Sequence, residues 1–402
     1  MMRDGKITRR QFLGTTTLTA VGLPAMVSQA ESAESSYSPQ TNFQLVELSG
    51  SARDRGHQHG ELLRERINVV HEGWRKALQV PIGWSEDRYI DRFLDQTSFL
   101  DAIRKWTPEF EQEVQGIARG AKLPFRDIYA MQMLDEEWWF GAALRRKLTP
   151  RNKCTVVGVS RTEQHPSFIA QNMDIPTYAN PHLVVLKVRS PKSSFEQLIL
   201  TLSGLISLNG MNNRRVALCV NSLLQLRPLS HGLPIAFANR GVIAQEKFED
   251  AARFVRQVRM ASGQAYNIGG PDKVESYECS AAGATKMPLG KSCLTHTNHP
   301  LVSDDFGWYG KNWKKEEASP RGNSETRYRC AAERITTEKP SAELLRAILG
   351  VHNNDVHPIC RHLSAKIPYY TAANTVYELA EAPKLHLTGN PPCTAPVQTF
   401  GF

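Results

Sequence analysis

The chain has 402 residues, 41% of them hydrophobic, and its 49 Lys and Arg against 40 Asp and Glu give a formal charge of +9. That length and apolar content are enough for one large core or two closely packed segments. The basic excess is thin: Arg145-Arg146-Lys147 and Lys314-Lys315 are short clusters, and Trp313 alone is no stacking platform, so the charge argues against nucleic acid as a partner and for a solvated basic face.

At the N-terminus, Thr8-Arg9-Arg10-Gln11-Phe12-Leu13-Gly14 is a twin-arginine motif. An apolar segment over 12–27 follows, then Ser28-Gln29-Ala30 with small residues at the spacing a signal peptidase reads. The apolar stretch is shorter than the roughly 20 residues that span a bilayer. Residues 1–30 therefore read as a signal peptide for the twin-arginine translocation machinery, with no permanent membrane anchor. The expected location is the periplasm or the medium. Without those residues 45 Lys and Arg face 39 Asp and Glu, a charge of +6. Residues 31–41, rich in Ser and Glu, read as a disordered leader.

The next hundred residues read as mainly helical. A short strand at 43–48 precedes a long helix that begins near Gly60 and carries Leu62, Leu63, Ile67, Val70 and Trp74 at helical spacing. Further helices are predicted at 88–106, 108–122 and 125–137. The polar, basic segment 141–153 reads as an exposed loop where cutting is tolerated. Downstream, strands dominate: 154–161, 167–174, 182–189, 196–203 and 214–223. A helix at 247–259, strands at 264–269 and 293–298, a helical stretch at 325–350 and strands at 374–380 and 384–388 complete the chain. Consecutive hairpins with helices set apart predict an α+β fold of antiparallel sheets covered by helices.

Cys154 is the most informative residue. It heads the β-branched run Cys154-Thr155-Val156-Val157-Gly158-Val159-Ser160, and the turn-forming Glu163-Gln164-His165-Pro166 joins this run to a second strand ending in Gln171-Asn172-Met173-Asp174. A hairpin that opens on Cys and closes on Gln-Asn-x-Asp has the layout of an N-terminal-nucleophile hydrolase, in which the chain cuts itself before the Cys. On the hairpin alone, a small buried hydrophobe is an equally good reading.

Of seven cysteines, the six others allow up to three disulfides and leave Cys154 free. Export of a chain already folded in a reducing cytoplasm makes such bonds additions rather than requirements. No pair has the C-x-x-C spacing of a zinc or redox site. His296 and His299 have metal-like spacing with Asp304 or Asp305 nearby, but Pro300 intervenes and a third His is lacking, so they read as structural. Neither a metal nor a cofactor is implied.

Six motifs taken in order resemble the penicillin acyltransferase (isopenicillin N acyltransferase) family. They are Gly50-Ser51-Ala52-Arg53-Asp54-Arg55-Gly56-His57-Gln58-His59-Gly60, Cys154-Thr155, Gln171-Asn172-Met173-Asp174, Gly210-Met211-Asn212-Asn213 through Cys219-Val220-Asn221-Ser222-Leu223, His296-Thr297-Asn298-His299-Pro300 and Ile359-Cys360-Arg361-His362. The resemblance runs from about residue 43 to the C-terminus. It implies an αββα sandwich with two antiparallel sheets between helical layers, behind a mainly helical N-terminal segment. It also implies self-cleavage between Lys153 and Cys154, giving chains 31–153 and 154–402; the family often has Gly where this chain has Lys153.

In the mature site the new α-amine, with a reference pKa of about 7.7–8.0, serves as base for its own thiol. The resemblance implies that Asp174 would hold the α-ammonium, that Asn298 and Asn221 would point amide or backbone donors at the oxyanion, and that Arg361 would balance Asp174 or bind a substrate carboxylate. The first signature reads as structural, with Gly56 and Gly60 allowing close approach and Gln58 or His59 capping the helix start. Trp138, Trp139 and Phe140 shape an apolar acyl pocket or belong to the core.

The expected reaction is hydrolysis of a linear amide in a small N-acyl compound or short peptide. The alternatives are transfer of the acyl group to an amine, a catalytically dead binding protein on the same scaffold, and a papain-like protease; the last would place a helix, not a strand, after its Cys.

Overall fold

A computed structural model describes residues 39–145, 153–190, 193–290, 292–308, 322–336, 338–353, 357–363 and 369–402. The signal segment 1–30 and most of the expected loop at 141–153 lie outside the described residues. Among the described residues, no helix is long and apolar enough to cross a membrane.

β1 (Gln44–Leu48) leads into α1 (Ala52–Leu62) and α2 (Arg64–Ala77). α1 begins eight residues before the predicted start, because Ser51 and Asp54 form a capping box: Asp54 N–H donates to Ser51 Oγ at 3.2 Å, and Ser51 N–H donates to Asp54 Oδ2 at 3.1 Å. Neither Gln58 nor His59 caps it. Gln58 bonds Ser49 through both amide atoms, and buried His59 accepts the Gly204 N–H on Nε2 at 3.1 Å. The expected role of Gly56 and Gly60 holds. A Cβ at Gly56 would lie 1.9 Å from the Glu113 carbonyl oxygen, and one at Gly60 2.3 Å from that of Ile117, so α1 lies backbone to backbone on the later helix that carries both.

The predicted 88–106 helix is two, α3 (Glu86–Asp95) and α4 (Phe99–Trp106). Thr97 Oγ1 bonds back to Leu94 O and Ser98 N–H turns aside to Ser230 O, which breaks the ladder between them. α5 (Pro108–Ala121) follows the prediction, with Pro108 at its first position. The 125–137 helix splits into α6 (Phe125–Met131) and α7 (Leu134–Arg145). At the break, Gln132 reaches across to Gly204 O and accepts the Ile206 N–H.

Six strands follow, β2 (Lys153–Val159), β3 (Phe168–Pro176), β4 (Leu183–Arg189), β5 (Glu196–Leu202), β6 (Asn209–Asn212) and β7 (Ala217–Ser222). Residues 214–216, predicted as strand, form the turn before β7, where Asn212 Oδ1 accepts the N–H groups of Arg214 and Val216. Next come α8 (Ile235–Ile243) and α9 (Phe248–Gln257), then β8 (Gln264–Gly269), β9 (Val274–Ser280), β10 (Gly283–Lys286) and β11 (Cys293–His296). The predicted 325–350 helix is α10 (Asn323–Arg334) and α11 (Ala342–Leu349), the second capped by Ser341 just after Pro340. β12 (Tyr369–Glu378), β13 (Lys384–Thr388) and β14 (Val397–Phe400) end the chain.

The strands form an eight-stranded sheet in the order β1-β4-β5-β6-β7-β8-β9-β10 and a six-stranded sheet in the order β11-β2-β3-β12-β13-β14. All pairs are antiparallel except β1 with β4, which run parallel; the helical segment between them supplies the crossover that a parallel pair needs. Alternation decides which residues reach the site. Val157 and Ala170 face α10 and α11, packed with Ala331, Leu345 and Leu349. Cys154 and Val156, opposite Met173 and Gln171, face the eight-stranded sheet. α8 and α9 cover that sheet's other face. The layers are helix, sheet, sheet and helix, behind a helical N-terminal segment, as the resemblance implied.

Candidate active site

Cys154 is buried at the head of β2, and both of its main-chain polar groups are held by side chains. Its N–H donates to Asn298 Oδ1 at 2.8 Å. Its carbonyl accepts from Asn221 Nδ2 at 3.1 Å and from Arg327 Nη1 at 2.7 Å. Asn221 projects from β7 on the facing sheet, Asn298 from the loop after β11 and Arg327 from α10. One residue of β2 is therefore fixed by three other elements.

Arg327 ties these groups together. Its guanidinium is fully buried and also donates to Thr155 Oγ1 at 2.8 Å, Asn298 Oδ1 at 2.9 Å and Asn323 Oδ1 at 3.0 Å. Asn298 Oδ1 thus receives two donors, which fixes the amide's orientation. Its Nδ2 is spent on Ser222 O at 3.1 Å, and its own N–H on Ser324 Oγ at 2.8 Å. Asn298 thus offers an acceptor to the Cys154 nitrogen rather than a free donor, and the Asn221 amide donor is likewise occupied by the Cys154 carbonyl.

Asp174 sits across the hairpin from Lys153. Thr371 Oγ1 donates to its Oδ1 at 2.6 Å, and Arg361 Nε lies 3.1 Å from Oδ2 as an ion pair whose N–H is not aligned as a hydrogen bond. Thr371 stands at a register shift in β12 and also binds the Arg361 backbone in both directions. Of the two roles expected for Arg361, balancing Asp174 is the one this geometry displays.

Burial pushes the Cys154 thiol up to about 12, and the nearby Asp174 charge adds to the rise; a hydrogen bond from the Asp174 N–H opposes it. Burial also raises Asp174, against the pull of Arg361 and Thr371. At neutral pH the buried Cys154 is therefore almost entirely thiol.

The thiol borders a cavity of about 110 Å³ whose wall is mostly apolar, with Trp74, Leu134, Trp138, Met173, Leu205 and Val220 among its members. Asp135 and Glu137 also reach this wall. Of the three aromatic residues expected to shape an acyl pocket, only Trp138 lines it. Trp139 packs edge-on against Trp308 and donates to Leu224 O, while Phe140 packs on Tyr89 and Phe93.

No family model and no curated protein matches the chain. Among solved structures it is similar to a mutant of the conjugated bile acid hydrolase from Clostridium perfringens, at 11% identity over 61% of this chain and 97% of that chain, with a TM-score of 0.36. A second variant of the same hydrolase gives 12% identity, the same coverage of both chains and a TM-score of 0.41. Penicillin V acylase from Agrobacterium tumefaciens gives 13% identity over 61% of this chain and 86% of that chain, with a TM-score of 0.40.

Of the residues singled out in the sequence, the structure brings Cys154, Asn221 and Asn298 into direct contact and sets the Asp174–Arg361 pair beside them. Arg327 was missed. It lies in a helix whose other arginines, Arg329 and Arg334, are largely exposed, and nothing in that pattern separates a buried arginine from a solvated one. His296 and His299 are hydrogen-bonded within the fold. His296 bonds Glu278 and Thr297 O, and His299 Nδ1 meets Thr297 and Ser324 hydroxyls. Asp305 turns away to Arg227 and the Ala282 N–H.

Proposed function

We propose that this protein is a self-processing N-terminal-nucleophile cysteine amidase of the penicillin acyltransferase type, exported by the twin-arginine route. The observation that carries the reading is the setting of Cys154: the nitrogen that would become an α-amine faces a fixed acceptor, the carbonyl is clamped, and the thiol borders an apolar cavity.

Maturation begins when Cys154 Sγ attacks the Lys153 carbonyl carbon. The C–N bond breaks, the thiol proton passes to the departing nitrogen, and a thioester forms. Water then opens the thioester, its hydroxyl completing the Lys153 carboxylate and its proton returning to sulfur. The freed amine, with a reference pKa of about 7.7–8.0, is partly unprotonated at neutral pH. It can take the proton from the buried thiol that burial otherwise holds in place.

In turnover the thiolate adds to an amide carbonyl, the C–N bond breaks as the amine returns the proton to the leaving nitrogen, and water then opens the resulting thioester, its hydroxyl completing the free acid and its proton returning to the thiol–amine pair. Asn298 Oδ1 accepts a hydrogen bond from the α-amine, Arg327 and Asn221 hold the Cys154 main chain, and the buried Asp174–Arg361 pair sets the local field. The cavity wall favours an acyl part of aromatic or aliphatic character.

The reaction supported best is hydrolysis of a linear amide in a small N-acyl compound, because a compartment outside the cytoplasm supplies no acyl thioesters for synthesis. The test is a panel of N-acyl amino acids, β-lactam side-chain amides and short acyl peptides given to processed enzyme, with and without free amine. Free acid released at a rate indifferent to the amine is expected. Product that forms only with an acceptor amine would make the protein an acyltransferase.

A further inference from the structure

A second cluster of chemically capable side chains lies apart from the Cys154 cavity. His352, in the loop after α11, meets Cys360 and His362, which flank Arg361, and Cys393, in the turn between β13 and β14. Each offers one ligand atom, and all four atoms lie within 4.8 Å of one another. His352 Nε2 and His362 Nε2 are 3.1 Å apart, and His362 Nε2 is 3.3 Å from Cys393 Sγ. Cys360 is buried beneath the group, and the two histidines are exposed above it.

The geometry points to a closed Cys₂His₂ zinc site that this chain assembles from sequence-distant residues. An ion with bonds of about 2.0–2.1 Å to nitrogen and about 2.3 Å to sulfur spaces tetrahedral ligand atoms about 3.3–3.8 Å apart. The separations found here, 3.1 and 3.3 Å for two pairs and none above 4.8 Å, bracket that requirement. Two soft thiolates and two imidazoles, with no carboxylate in the group, suit zinc and not magnesium or calcium. Two thiolates also neutralise the ion's charge. With four protein ligands no position remains for water, so the role is structural.

The backbone beneath the cluster is already fixed. Cys360 N–H donates to Val351 O at 3.1 Å, and Asn390 Nδ2 donates to Arg361 O at 3.1 Å and Thr371 O at 2.8 Å. Export after folding lets the ion load before the thiols meet an oxidising compartment.

Its consequence for the Cys154 site rests on the function proposed above. Arg361, the ion-pair partner of Asp174, lies between two of the ligands. Zinc would tie its loop to the C-terminal hairpin and make Cys360, His362 and Cys393 positioning residues.

The experiment is metal analysis of the full chain, isolated under reducing conditions with zinc chloride and then dialysed. It is run on wild type and on Cys154→Ala, so that the result does not depend on cutting or activity. About one zinc per chain in both is expected. Cys360→Ser/Cys393→Ser should retain almost none, and the single variant His352→Gln should release zinc to a chelator at least tenfold faster. Should the double variant not fold, wild type loaded with cobalt chloride decides: the visible bands of a tetrahedral cobalt dithiolate support the site, and an octahedral spectrum overturns it. A wild-type chain that holds no zinc, a Cys360–Cys393 disulfide that persists under those reducing conditions, or undiminished zinc in the folded double variant would each overturn the assignment.

Discussion

Asn298→Ala separates two roles that sequence motifs alone do not distinguish. The substitution removes the acceptor 2.8 Å from the Cys154 nitrogen and one partner of Arg327, while Ser222 O loses a donor it can replace with water. A hydrogen bond to a charged group is worth about 1.5–3 kcal/mol, which converts to a fall in kcat/KM of about 10- to 150-fold. Losing an acceptor also destabilises the protonated amine. Its pKa should drop, and the acid limb of the kcat/KM profile should move to lower pH. An oxyanion donor behaves differently: its loss costs about 10²–10³ in kcat and leaves that limb in place. The assay is the pH profile of processed wild type and variant on one N-acyl amide. A large fall in kcat with an unmoved acid limb would refute the amine-positioning role, and a wild-type profile would remove Asn298 from the site.

Asp174→Asn should fold yet lose most turnover, because Arg361 keeps its charge and the amine loses the nearby carboxylate; near-normal rates in a processed variant would take Asp174 out of the mechanism. Glu136 is fully buried, and burial, then the charge of Asp135, raise its carboxyl from 4.5 to about 7. A carboxyl that binds its proton more tightly folded than unfolded stabilises fully below 4.5 and loses that contribution as pH climbs through about 7. Wild type should therefore lose stability relative to Glu136→Gln between about pH 5 and 8, by on the order of 3 kcal/mol, and parallel Tm curves for the two would contradict this. Gly56→Ala drives a methyl group to 1.9 Å from the Glu113 carbonyl oxygen and should lower stability by about 3 kcal/mol or more in urea unfolding. An unchanged midpoint would mean that α1 and α5 do not touch through their backbones.

The hairpin of β2 and β3 was legible because β-branched residues, turn residues and the polar end Gln171-Asn172-Met173-Asp174 all point the same way. The start of α1 was equally written, in Ser51 and Asp54, but apolar spacing from Leu62 onward drew the boundary too late. α8 was not found, since every residue from Ala236 to Ile243 is buried, Asn239 and Arg240 included, and the helix shows no solvated face. β9 was hidden by its charges. Glu278 reads as a surface residue, yet it is buried and receives the N–H groups of Leu301, Val302 and Ser303 together with His296.

The site divides in the same manner. Cys154, Asn221, Asn298, Asp174 and Arg361 each sit in a short motif, whereas Arg327 has no local signature. The His352, Cys360, His362 and Cys393 group exists only because the fold returns Cys393 to a loop 31 residues upstream. The polarity of the asparagines is also tertiary information: Arg327 and Ser222 decide which amide atom of Asn298 faces Cys154, and Asn267, donating to Asn221 Oδ1, decides it for Asn221.

The most direct test of the account is intact mass with N-terminal sequencing of the purified, signal-free protein. The account predicts two co-purifying fragments of 123 and 249 residues, the larger beginning at Cys154, and a single uncut, inactive chain for Cys154→Ala. An active wild-type protein that remains one chain would contradict it.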